Sequence, residues 1–146
     1  MGDVRAPDGL HGKDWKQTRR RMNASERRLF NLLKPLGFRV IPQVQIGDIS
    51  VDFLLPNERV IIEADGKPYH SGSEAQRKAA RQDHELQERG YMTIHVWTDT
   101  LFEDEQNARD HILTRLYLEL GIKSPVKSLY RLYRRLEKRK RRIPAP

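Results

Sequence analysis

The residues best suited to chemistry are Asp52, Glu63 and His70, gathered in one stretch, ISVDFLLPNERVIIEADGKPYH, from Ile49 to His70. Residues alternate in period two through Ile49–Leu55 and again through Val60–Asp65, with a Pro-Asn-Glu segment between, the pattern of two strands and a tight turn. A two- or four-residue loop pairs Pro56 with Arg59 or Leu55 with Val60, and either pairing opposes Asp52 to Glu63 on one sheet face. Opposed Cβ atoms in an antiparallel pair lie roughly 4.5–5.5 Å apart, where like charges repel. A three-residue loop would send the two acids to opposite faces. Carboxylates forced together among Val, Ile and Phe call for a shared proton or a divalent cation, and such hard oxygen ligands suit magnesium. The bland alternative is an edge hairpin whose acidic face stands in water. His70 follows Glu63 by seven residues, in a loop that could swing back over the same sheet end. A lone loop histidine is usually a surface residue, but at this place it reads as a proton-transfer group.

The elements that must hold these groups follow in order. Asn23 opens a helix as its N-cap, with Glu26 at the capping-box position and Leu29, Phe30, Leu32, Leu33 and Leu36 as the apolar stripe. Glu26 borders the inward face and reads as a cap first and a catalyst second. Phe38–Ile46 is a first strand, where Pro42 signals an edge or a bulge. Ser73 and Gln76 start a second helix in capping-box spacing. Its expected inward face is Ala79, Ala80, Asp83 and Leu86, and a buried Asp83 needs a basic partner, Arg77 or another. Tyr91–Trp97 is a fourth strand with Met92, Ile94 and Val96 inward. The strand–helix–strand crossover makes the last two strands parallel, while their adjacency stays open. His95 and His111 read as ordinary structural or surface residues. A helical region runs from Thr98 or Asp99 to Leu120, and Ser124-Pro125 caps a last helix with Val126, Leu129, Tyr130, Tyr133 and Leu136 as its stripe.

A chain of 146 residues is enough for one domain with a real core. The absence of cysteine excludes disulfides and thiolate zinc sites. No apolar segment resembles a signal peptide or a membrane span, so a soluble, cytoplasmic protein is expected. The net charge of +8 is unevenly spread: residues 1–28 carry eight basic and four acidic groups, 29–122 ten and fifteen, 123–146 ten and one. An acidic centre between basic ends suits a metal–carboxylate site serving a polyanion. The expected divisions are a flexible basic arm over 1–21, a folded domain over 22–121 and a basic amphipathic helix over 122–146. Arg19, Arg20 and Arg21 read equally as phosphate contacts or a solvated lead-in. Arg134, Arg135, Lys138 and Arg139 lie on the basic face of the last helix, which suits DNA or a protein partner better than a membrane.

This order resembles the restriction-endonuclease-like PD-(D/E)xK fold, and within it the very-short-patch-repair-like branch. The segments SERRLFNLLKPLGF, RVIPQVQIGDISVDFLLP, RVIIEADGKPYH and RQDHELQERGYMTIHVW carry the resemblance over roughly residues 22–120. Glu26, Asp52, Tyr69-His70 and Asp83 also match, in order, the EDxHD pattern of certain phage homing endonucleases. The resemblance implies an α/β (α+β) core, with a mixed, roughly four-stranded sheet flanked by helices. It further implies hydrolysis of a DNA phosphodiester with magnesium, for which manganese substitutes, in a bacterial or phage-type protein. Asp52 would be the main metal ligand, Glu63 a second ligand or a contact to a metal-bound water, and His70 the group activating water, with Glu26 and Asp83 completing the acidic shell. Two departures stand out. Asp65 occupies the place of the fold's usual Lys, leaving Lys67 as a candidate phosphate contact, and the cysteine-built zinc site of the repair enzyme cannot exist here.

Two other expectations compete. One is a nuclease fold that binds DNA or RNA without cutting; the other is an adaptor whose last helix docks on a partner through Leu129, Tyr133 and Leu136. As an endonuclease, the chain would nick as a monomer, or cut both strands as a homodimer or within a larger nucleoprotein complex assembled through the last helix.

Overall fold

The computed structural model describes residues 21–66 and 73–142. Arg19, Arg20, Lys67 and His70 lie outside the described residues.

Helix α1, Ala24–Leu33, begins with the capping box expected of Asn23 and Glu26 and buries Leu29, Phe30, Leu32 and Leu33. A 3-10 turn over Lys34–Leu36 continues it and ends at Gly37, whose φ of +86° is a left-handed conformation. A side chain there would also meet Pro125, since a Cβ would come within 2.6 Å of its ring. Three strands follow, β1 Ile41–Ile46, β2 Ile49–Leu55 and β3 Val60–Asp65, then helix α2, Ser73–Glu88, and strand β4, Met92–Trp97. The sheet order is β1-β2-β3-β4; the first three strands are antiparallel, and β4 lies parallel beside β3. The helical region after β4 is two helices, α3 Thr98–Glu103 and α4 Glu105–Leu120, because Asp104 breaks the first and caps the second by accepting the Asn107 N–H. Helix α5, Tyr130–Arg142, completes the chain after a 3-10 turn over Lys127–Leu129. The result is a mixed four-stranded sheet with helices on both faces, the architecture that the sequence resemblance implies.

The two sheet faces are covered unequally. On one, Phe53, Leu55, Val60, Ile62, Ile94 and Val96 join α1, α3, α4 and α5 in the main core. On the other, Ile41, Val44, Val51, Leu54 and Ile61 meet Leu86 and Tyr91 in a smaller cluster under α2. Ala79 and Ala80, expected to face inward, are exposed. The described side chains of α2 up to Arg81 are all exposed, because the helix meets the sheet only through its second half, around Asp83 and Leu86.

The last helix belongs to the main core through Leu129, Leu132, Tyr133 and Leu136. Leu132 replaces Tyr130 in the expected stripe, and Tyr130 is 63 % exposed. The 3-10 turn ahead of α5 sets this phase, which gives an i, i+3, i+4, i+7 face. Ser124 fastens the segment: its hydroxyl donates to the Leu36 carbonyl at 2.5 Å, and its N–H donates to the Tyr133 hydroxyl at 2.7 Å. Among the described residues, no helix is long and apolar enough to cross a membrane.

Candidate active site

A four-residue turn, Pro56–Arg59, sets the register of the site. Leu55 pairs with Val60 and Phe53 with Ile62, so the next position in that register opposes Asp52 to Glu63. There the ladder opens, and Asp52 Oδ2 accepts the Ala64 N–H at 2.9 Å. Glu63 is in turn the Cα partner of His95 on β4. On the other side, Gln43 of β1 lies between the pairs Pro42–Phe53 and Val44–Val51, across from Asp52. Each strand thus contributes one polar residue to a row across the sheet: Gln43, Asp52, Glu63 and His95. Ile62 and Ala64 flank Glu63, and Ile94 and Val96 flank His95; these neighbours turn to the main core, so alternation turns Glu63 and His95 toward α2.

Both ends of the row are anchored. Glu26 is the acid of the capping box, accepting the Asn23 N–H, and its second oxygen accepts from Gln43 Nε2 at 2.5 Å. Gln43 reaches it from a left-handed backbone, φ +55°. At the far end, His95 Nε2 and Asp83 Oδ2 of α2 are hydrogen-bonded at 2.6 Å. His95 Nδ1 lies 2.6 Å from Asp65 Oδ2, off the line of its N–H, so this contact is a close ion pair and not an aligned hydrogen bond.

Burial, opposed by the Ala64 N–H and reinforced by Glu26 and Asp65, pushes the Asp52 carboxyl up to about 6. Burial and then the facing Asp52 push Glu63 up to about 7. His95 is raised to about 9, first by Asp65 and then, against the cost of burial, by Asp83. The row holds two carboxyls that resist ionising beside an imidazolium that resists losing its proton.

Residues 26–116 match the restriction-endonuclease-like family REase_MTES_1575, a span of well over half the chain. The chain belongs to this family. Its fold is similar to that of the homing endonuclease I-Bth0305I catalytic domain, with a TM-score of 0.54 and 21 % identity over 67 % of this chain and 97 % of that one. No curated protein matches the chain.

In this family member Asp52 and Glu63 are neighbours, as the hairpin pattern predicts, and Glu26 is bonded to Gln43, which lies across from Asp52. Asp83 finds its partner in His95 and not in Arg77. Arg21 is exposed ahead of α1. Arg134, Arg135, Lys138 and Arg139 are exposed on α5, which packs against α4 in the layer across the sheet from α2. They are therefore not part of the acid row. His95, read from the sequence as a structural or surface residue, is paired with Asp65 and Asp83. The signal for it was its parallel alignment with Glu63, which appears only once β3 and β4 are known to be adjacent.

Among the described residues, no three His, Cys, Asp or Glu converge to hold a metal ion unaided. Asp52 and Glu63 nonetheless offer two carboxylates, a donor set that a hydrated divalent cation can share with substrate phosphate. Burial raises both carboxyls, and the facing Asp52 raises Glu63 further, an environment that a cation would relieve.

Proposed function

We propose that the chain is a magnesium-dependent DNA endonuclease of the very-short-patch-repair-like branch, close in plan to the EDxHD homing enzymes. The observation that carries this reading is the opposition of Asp52 to Glu63, two carboxyls repelling each other in a half-buried row. Asp52 and Glu63 would hold the divalent ion. When bound, it would neutralise charge on the phosphate and make a bound water more acidic. The protein's own groups do the rest. The Ala64 N–H holds the Asp52 carboxylate in place, and the Gln43–Glu26 link closes the row at the edge strand. His95 and Asp83 close it on the other side. His70 is the proton acceptor in this reading, assigned from the sequence resemblance, and Lys67 is a candidate phosphate contact in place of the lysine that Asp65 replaces.

The test is supercoiled plasmid incubated with magnesium or manganese. Nicking that is lost in Asp52→Asn supports the reading, and nicking retained in that variant removes the site assignment. One observation favours a second reading, a binding module that does not cut: the exposed basic face of α5 stands across the sheet from the acids. Salt-sensitive binding in chelator, with no cleavage in any divalent cation, would decide for it.

A further inference from the structure

Both ring nitrogens of His95 are taken, Nε2 by Asp83 and Nδ1 by Asp65, each at 2.6 Å. With both nitrogens occupied, the ring offers no free nitrogen to a substrate proton or a phosphate. What it does is join three elements: Asp65 comes from β3, His95 from β4 and Asp83 from α2. Helix α2 has little other hold on the sheet. Leu86 is its one fully buried side chain among those described, and the half before Asp83 stands in solvent.

We propose that His95 is a positioning residue: a tie that fixes α2 to the open end of the sheet, beside Asp52 and Glu63. The tie stands on its own contacts; its effect on a bound cation rests on the nuclease reading. Hydrogen-bonding groups that hold metal ligands in place typically change metal affinity or activity about 10–100-fold when removed.

The experiment uses the full chain with His95→Gln, His95→Lys, which can still pair with Asp83, and Asp83→Asn. Amide hydrogen exchange over residues 76–88 is read on metal-free protein, and manganese affinity is read by calorimetry. His95→Gln should speed exchange across α2 and weaken manganese binding about 10–100-fold, with His95→Lys recovering part of the protection. Adding Asp83→Asn to His95→Gln should change exchange less than Asp83→Asn does alone, because the link is already broken. Unchanged exchange in His95→Gln overturns the tie, and undiminished manganese affinity in that variant overturns its positioning role. If His95→Gln does not fold, Asp83→Asn, at a partly exposed helix position, carries the same exchange test. A wild-type chain that neither binds manganese nor nicks DNA removes the nuclease reading and with it the effect on a cation; faster exchange in His95→Gln would still support the tie.

Discussion

Gln43 donates to Glu26 across 2.5 Å from a backbone held at φ +55°. That bond ties the first turn of α1 to the edge strand and keeps the Glu26 charge near Asp52, whose carboxyl it helps to raise. A left-handed backbone costs a residue with a side chain roughly 1–2 kcal/mol, and such strain tends to collect at functional sites. Gln43→Gly gives up the bond but relieves the strain, whereas Gln43→Ala gives up the bond and keeps it. The alanine variant should therefore be less stable than the glycine variant by about 1 kcal/mol, read from urea midpoints. Coincident midpoints would mean that the segment can leave the left-handed region freely.

Asp52 and Glu63 make the metal-free protein sensitive to pH. Their folded values, about 6 and about 7, lie above the ordinary 3.8 and 4.5. The folded chain thus holds these protons more tightly than the unfolded chain. Their contribution to stability is complete below about pH 4 and is lost as pH rises through about 6 and 7. In chelator, Tm should fall across that window, and Asp52→Asn with Glu63→Gln should flatten the fall. Magnesium should raise Tm little near pH 5 and most near pH 8, where both carboxylates are ionised. A magnesium shift of the same size at both pH values would remove the pair as the cation site.

His95 titrates in a higher window. Its folded value of about 9 lies above the ordinary 6.5. Its stabilising contribution is present in full below about pH 6.5 and is lost as pH rises through about 9. His95→Gln should abolish the Tm decline between about pH 7 and about pH 9 and leave the lower window of Asp52 and Glu63 in place. Histidine proton-exchange spectra can locate the titration on this residue, and a midpoint near 6.5 would contradict the paired geometry.

Much of this site was legible before any coordinates. Period-two alternation and the turn residues suffice to oppose Asp52 to Glu63, because a shift of one residue would have exposed Phe53 and Ile62. The capping box at Asn23 and Glu26 rests on local hydrogen bonding and was equally visible. His95 was not, since its partners come from two other elements and depend on β4 lying directly beside β3. The left-handed Gln43 was hidden too, because nothing local in IPQVQI favours it over an extended residue. Ala79 and Ala80 misled for the converse reason: a helical stripe shows which face could be buried, not how far the sheet extends beneath it.

Leu136 is 5 % exposed within the main core, so α5 is part of the folding unit and its removal is not a clean test of its surface. Leu136→Ala should destabilise the chain by about 2–5 kcal/mol, the usual range for a buried leucine. Thermal or urea unfolding in a single transition would measure it. A loss below about 0.5 kcal/mol, the range of a surface change, would show that the helix can leave the core without unfolding the rest.

The basic face of α5 can instead be tested by charge. Arg134, Arg135, Lys138 and Arg139 are exposed, and Arg134 lies 5.7 Å from the centre of the Tyr130 ring. Changing all four to Gln leaves the buried stripe intact, so stability should change little. If these residues sit on phosphates, duplex affinity should fall and the slope of log K against log salt should become shallower, by about 0.9 for each phosphate no longer neutralised. Because α5 and the acid row occupy opposite faces of the sheet, the nicking rate at saturating DNA should be nearly unchanged while the DNA concentration needed for half-maximal rate rises. An unaltered salt slope would show that this face is solvated and that the nucleic acid is gripped elsewhere. A fall in the saturated rate with no change in affinity would place the helix in the catalytic step, against the geometry of the sheet.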